Sequence, residues 1–172
     1  FTGWLFSTVR EAGITPPVDF SPHAVLGFVL EVLGVTVDNI FARLARSCEP
    51  LMADGGSLIT MSYLGSQQAV EHYGMMGPVK AALESLVRYM ALELGPRKIR
   101  VYAVSPGPVP TRAASGLEDF DELMQAAAAR APLGRLVTLD EIGALTAFLA
   151  SPAASGMTGQ TLYVDAGDHA TR

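Results

Sequence analysis

Short apolar runs of strand length alternate along this chain with longer helical stretches, and glycine or proline marks most of the junctions. Four runs read as strands: Gly3 to Val9 (GWLFSTV), Ser57 to Ser62 (SLITMS), Arg100 to Val104 (RVYAV) and Thr161 to Asp165 (TLYVD). Helix is expected over Ala24 to Leu51 with a break near Gly34, then over Gly77 to Leu94, Leu117 to Arg130 and Asp140 to Leu149. Asp54-Gly55-Gly56 is a turn into the second strand, and Gly95-Pro96 stops the helix before the third. Strands separated by whole helices imply right-handed crossovers and parallel pairing, with helices covering both faces. The fold class expected is α/β: a doubly wound parallel sheet of about four strands in three layers, as one domain over residues 1–172.

Such a sheet needs a large apolar interior, and 49% apolar residues in a chain of 172 supply one. A net charge of −5 without a basic run argues against a nucleic-acid partner. Cys48 is the only cysteine, so no disulfide can form within the chain, in keeping with a reducing cytoplasm. Phe1 to Arg10 lack the basic start and long apolar run of a signal peptide. No stretch approaches about 18 uncharged apolar residues, so no membrane span is expected.

In parallel sheets of this kind ligands collect at the carboxyl ends of the strands. Three polar or glycine-rich segments fall there: Ser7, the stretch Ser62 to Gly65, and Ser105 to Thr111. Near that edge stand Tyr73 and Lys80, seven residues apart, with Tyr63 ten residues upstream of Tyr73. On a continuous helix that spacing puts the phenol and the ammonium on one face. The cation is then expected to favour phenolate and lower a phenol pKa that starts near 10, with room for a ligand hydroxyl between them. A half-buried tyrosine beside a surface lysine is the plain structural alternative, because the spacing alone is common. Pro78 is tolerated only in a first helical turn, which places the regular start of this helix near Gly77.

The surrounding residues are more specific. Met61-Ser62-Tyr63-Leu64-Gly65, Tyr73 to Lys80 (YGMMGPVK), Ala81-Ala82-Leu83-Glu84, Ser105 to Thr111 (SPGPVPT), Ala113 to Leu117 and Met157-Thr158-Gly159 together resemble the bacterial NADH-dependent enoyl-acyl-carrier-protein reductases. These belong to the short-chain dehydrogenase/reductase superfamily, and the likeness is dense over about residues 50 to 166. The resemblance implies the C-terminal portion of a Rossmann-like fold and hydride transfer from NADH to the β-carbon of a trans-2-enoyl thioester on acyl carrier protein. It further implies a place in fatty-acid synthesis in the cytoplasm and a homo-oligomer.

Carried over by residue, the resemblance gives Tyr63 the thioester carbonyl, Tyr73 enolate stabilisation and protonation, and Lys80 the nicotinamide ribose. Ser7, Gly107, Pro108, Val109 and Thr111 are the further cofactor-binding positions it implies, Val109 through its backbone. Tyr63, Met76, Ala113, Leu117 and Phe120 are the substrate-binding positions, the last three on a helical segment over about residues 112–132. Taken alone, Leu117 and Phe120 read as ordinary core. Glu118, Asp119, Asp121 and Glu122 read as a solvated helix start, and His23, His72 and His169 have no ligand-like spacing, so no metal is expected.

By the same resemblance Phe1 to Ser7 matches the fourth strand of the family's fold. The first three strands and the glycine-rich pyrophosphate turn are therefore expected outside these residues, leaving this chain with the nicotinamide half of the site and activity in doubt when alone. NADH is the implied cofactor, with NADPH the alternative, since the residues that distinguish them fall in that other half. Departures include Ser7-Thr8-Val9 for a serine-isoleucine-glycine step, and Gly74 and Tyr102 where the family commonly has asparagine. Two other functions stand beside this one: a ketoacyl reductase of the same superfamily with Thr60 or Ser62 as the assisting hydroxyl, and a non-catalytic remnant or assembly partner.

Overall fold

Gly56–Met61, Ile99–Pro106 and Gln160–Val164 form β1, β2 and β3, three parallel strands in the spatial order β1-β2-β3. The computed structural model describes residues 40–71, 73–109 and 120–171. The fourth expected strand, Gly3 to Val9, lies outside them. The chain divides into two compact units, 1–48 and 49–172. The described part of the first holds a short helix, α1 (Arg43–Cys48); the second holds the sheet and the helices α2 (Met76–Leu94), α3 (Phe120–Arg130) and α4 (Leu139–Ala150).

The register pairs Gly56 with Ile99 and Met61 with Val104 on one side of β2, and Tyr102 with Gln160 and Pro106 with Val164 on the other. Side chains on β2 alternate between faces, as the pleat requires. Tyr102 and Val104 join Val137, Ile142, Leu149, Ala154 and Ala166 in one apolar cluster beneath α4. The opposite face of β2 packs against α2, whose buried positions include Val79, Leu83, Val87, Met90 and Ala91. Full burial of residues such as Val87, Val101 and Leu149 contributes roughly 1.5–3 kcal/mol each.

Local chemistry explains the element ends. Pro78 is the third residue of α2, inside the first turn where its missing N–H costs nothing. Gly95–Arg97 tightens into a 3₁₀ turn, and Lys98, with φ 60°, turns the chain into β2. Thr138 caps α4: its hydroxyl accepts from the Glu141 N–H at 3.2 Å, and the Glu141 carboxylate accepts from the Thr138 N–H at 2.9 Å. Tyr102, standing where asparagine was the common residue, is fully buried. Its hydroxyl lies 2.5 Å from the Met157 carbonyl and accepts from Arg100 at 2.9 Å, so a larger polar side chain is satisfied there.

Candidate active site

The ladder between β1 and β2 runs one residue past β1, with the Ser62 N–H donating to the Val104 carbonyl at 2.7 Å. Tyr63 follows in extended conformation, and Leu64–Ser66 then winds into a 3₁₀ turn. The chain returns through Tyr73 and Gly74 into α2. Gly74 has φ 52°, a left-handed conformation that glycine and asparagine adopt more readily than other residues, which accounts for the substitution noted above. Gly65 lies directly under the Tyr73 ring, where a Cβ would stand 2.4 Å from Cδ1, and a Cβ on Gly77 would stand 2.8 Å from the Gly65 carbonyl oxygen. Two glycines thus let the loop after β1 lie on the start of α2.

This close approach brings Tyr63 and Tyr73 together, with ring centroids 4.8 Å apart and planes inclined by 57°. Lys80, half-buried in the second turn of α2, donates from Nζ to the Met61 carbonyl at 2.8 Å. All three expected catalytic side chains therefore sit at the carboxyl end of β1. Tyr73 itself lies three residues before α2, so the shared helical face expected from the spacing is not what unites it with Lys80. The link is the fold of the Tyr63 loop over the helix start.

The electrostatics also differ from expectation. Burial pushes the Tyr73 phenol well above its ordinary value, and Tyr63 adds to the rise. Burial lowers the Lys80 ammonium, partly opposed by the charge of Glu84. The expected lowering of the phenol pKa by Lys80 is overturned because desolvation of the phenol dominates and the ammonium is engaged with the Met61 carbonyl. Tyr73 is a neutral phenol at physiological pH, with no hydrogen bond from its hydroxyl among the described residues.

The β2 exit completes the edge. Gly107 donates its N–H to the Val164 carbonyl at 3.0 Å, and a Cβ there would come within 3.0 Å of the Asp165 Cα. Pro108 is half-buried, and the Val109 side chain packs on the apolar cluster, so a ligand at Val109 would meet backbone. Met76, half-buried, opens α2. Ser7, Thr111, Ala113 and Leu117 lie outside the described residues, and Phe120 is described only as the first residue of α3.

A family profile described as "Enoyl-(Acyl carrier protein) reductase" matches residues 10–169. The chain belongs to this enoyl-(acyl carrier protein) reductase family. It is 47% identical over 149 residues to the enoyl-[acyl-carrier-protein] reductase [NADH] FabI of Nostoc sp., covering 87% of this chain and 57% of that protein. It is 42% identical over 127 residues to FabI of Escherichia coli, covering 74% and 48%. Among solved structures it is similar to the Bacillus cereus enoyl-acyl carrier protein reductase with NADP+ and indole naphthyridinone, with TM-score 0.79 and 37% identity over 89% of this chain and 58% of that one. The Anaplasma phagocytophilum enzyme in complex with NAD gives TM-score 0.77 and 42% identity, covering 89% and 56%. The chain spans about half the length of the curated relatives it matches. These likenesses identify the described sheet as part of the Rossmann-like α/β fold of enoyl-acyl carrier protein reductases.

Within this family member, two features escaped the sequence reading. Glu84, 2% exposed on α2, accepts hydrogen bonds from the hydroxyls of Ser62 and Ser66 and from the Gln67 amide. Its signal was present in the sequence: Val79, Leu83, Val87 and Met90 mark the buried face of α2, and Glu84 is an acid beside that stripe. The second feature is at the β3 exit, where the buried Asp165 accepts from the His169 N–H at 2.8 Å and binds His169 Nδ1 at 2.8 Å, while His169 stacks on Tyr163 at 4.0 Å. A hollow of about 420 Å³ opens there beside Pro132, Leu133 and Arg135. None of Tyr63, Tyr73 or Lys80 lines it. Among the described residues no helix is long and apolar enough to cross a membrane.

Proposed function

We propose that this chain carries the nicotinamide half of an NADH-dependent enoyl-acyl carrier protein reductase, which reduces a trans-2-enoyl thioester in cytoplasmic fatty-acid synthesis. The observation that carries the reading is the meeting of Tyr63, Tyr73 and Lys80 at the carboxyl end of β1, in a family whose curated relatives are named as NADH-dependent enoyl reductases. The donors suit a nicotinamide riboside: the Lys80 ammonium has three N–H donors, one of which goes to Met61, and Tyr73 presents a neutral hydroxyl from the loop that packs on Tyr63. Lys80 holds the ribose hydroxyls, and Ser7, Gly107, Pro108, Val109 and Thr111 line the cofactor. NADH fits the names of the relatives, with NADPH the alternative.

The cofactor, when bound, supplies the hydride to the substrate β-carbon. Negative charge then grows on the thioester oxygen, and a donor aimed there is strongest in the transition state. Tyr63 is that donor. Tyr73, held neutral by burial, keeps its proton available to the same region and shields it from water. Met76, Ala113, Leu117 and Phe120 wall the acyl chain, with residues 112–132 as its cover in one domain spanning 1–172. Ser62, one of the two hydroxyls a ketoacyl reductase would use, is committed to Glu84, which leaves that alternative with Thr60.

The chain assembles with further copies through α2, where Tyr89 and Leu92 are 67% and 76% exposed, and sedimentation of the purified chain tests this. The central experiment is NADH oxidation with a crotonyl thioester, after an NADH titration of the folded chain. Tyr63→Phe is expected to lower kcat roughly 100-fold with little change in NADH affinity. An unaltered kcat in Tyr63→Phe would remove Tyr63 from the mechanism, and loss of ketone reduction in Thr60→Ala would favour the ketoacyl alternative.

A further inference from the structure

The Tyr63 segment is an arm of only a few residues between β1 and a 3₁₀ turn, and a single buried carboxylate holds it from both sides. Ser62, immediately before Tyr63, donates its hydroxyl to Glu84 Oε1. Ser66, three residues after Tyr63, donates to the same oxygen at 2.5 Å, and Gln67 donates its side-chain amide to Oε2 at 2.8 Å. A carboxylate offers about four lone-pair sites, and three are taken here by donors that bracket one tyrosine.

The placement of Glu84 joins this arm to the rest of the site. It lies four residues beyond Lys80 on α2, which puts the two on one side of the helix. Its charge raises the Lys80 ammonium against the lowering caused by burial. The clamped segment contains Gly65, against which the Tyr73 ring packs. Apolar packing of the same volume would support the helix equally well, whereas an acid at 2% exposure is costly without its donors. Its three donors all come from the segment that presents Tyr63.

We propose that Glu84 is a positioning residue that clamps the Ser62–Gln67 loop and so holds the Tyr63 phenol against the thioester oxygen. This deepens the proposed function and rests on it for the identity of that oxygen. Glu84 touches neither substrate nor cofactor; it acts through the loop.

The test uses the full chain carrying Glu84→Ala or Glu84→Gln, each alone and combined with Tyr63→Phe. Glu84→Ala is expected to lower kcat for a crotonyl thioester about ten- to a hundredfold, with KM for NADH changed by less than about twofold. Glu84→Gln keeps an oxygen for Ser62 and Ser66 and should restore most of that loss. In the Tyr63→Phe background Glu84→Ala should cost less than about threefold more, because the group it positions is already gone. Equal losses in both backgrounds overturn the proposal. A second arm needs no turnover: with ζ-¹³C tyrosine, the Tyr63 resonance should shift or broaden in Glu84→Ala while that of Tyr102 stays. An unmoved Tyr63 resonance overturns the clamp whether or not the chain is active, while a moved resonance in a wild-type chain that folds, binds NADH and fails to reduce the thioester overturns the enoyl reading alone. Should Glu84→Ala fail to fold, Ser66→Ala combined with Gln67→Ala removes two of the three donors and is read by the same measurements.

Discussion

Tyr73 is a phenol that its surroundings keep protonated, and that has consequences for how the chain responds to pH. Its folded-state pKa is raised from an ordinary 10.0, chiefly by burial. The stability linked to this group is therefore whole below about pH 10 and is lost as pH rises beyond it. An alkaline titration followed by tyrosinate absorbance should place Tyr73 among the last phenols to ionise, and Tyr73→Phe should remove that late step. Its position also depends on an absent side chain. Gly65→Ala would put a Cβ 2.4 Å from Tyr73 Cδ1 and 3.4 Å from Tyr63 Cδ1, so the Tyr73 ring must shift off residue 65. We expect a loss of about 1–3 kcal/mol in chemical denaturation together with a changed near-ultraviolet dichroism. Tyr63, Tyr73 and Lys80 were legible as a group from their residue types and neighbours. The sign of the phenol shift was not, because spacing reveals the nearby cation but not the depth of burial that outweighs it.

Helices and strands were readable where their boundaries carry local chemistry. Gly95 and Pro96 mark the end of α2, and Pro78 its beginning, so both ends agree with the sequence reading to within a residue or so. The segment between Met61 and Met76 was harder, since a 3₁₀ turn and a left-handed glycine leave no periodic trace; its course is set by the contacts of Gly65 and Gly77 and by Glu84. At α4 the capping box makes a separate prediction. The Glu141 carboxylate is lowered from 4.5 to about 2, first by the hydrogen bond from Arg135 and then by the Thr138 N–H. Its contribution to stability is present above about pH 4.5 and is lost as pH falls toward 2. Melting temperatures recorded across that range should fall more steeply for the wild-type chain than for Glu141→Gln.

For the molecule as a whole, the unit 49–172 is organised around β2, which is hydrogen-bonded to β1 on one side and β3 on the other. Parallel pairing and the layers were legible from alternation, because each crossover needs a helix. The curated relatives are about twice the length of the matched region. Flanked by strands on both edges and packed on both faces, β2 should be the slowest part of this unit to take up deuterium. Amides of the Leu64–Ser66 turn should exchange far earlier, through local opening that leaves the sheet intact, and native-state exchange read residue by residue would reveal the order. Exchange in that order would give the site two clocks: a β2 exit at Gly107 that lasts as long as the sheet, and a tyrosine arm whose hold is released whenever the bonds to Glu84 break.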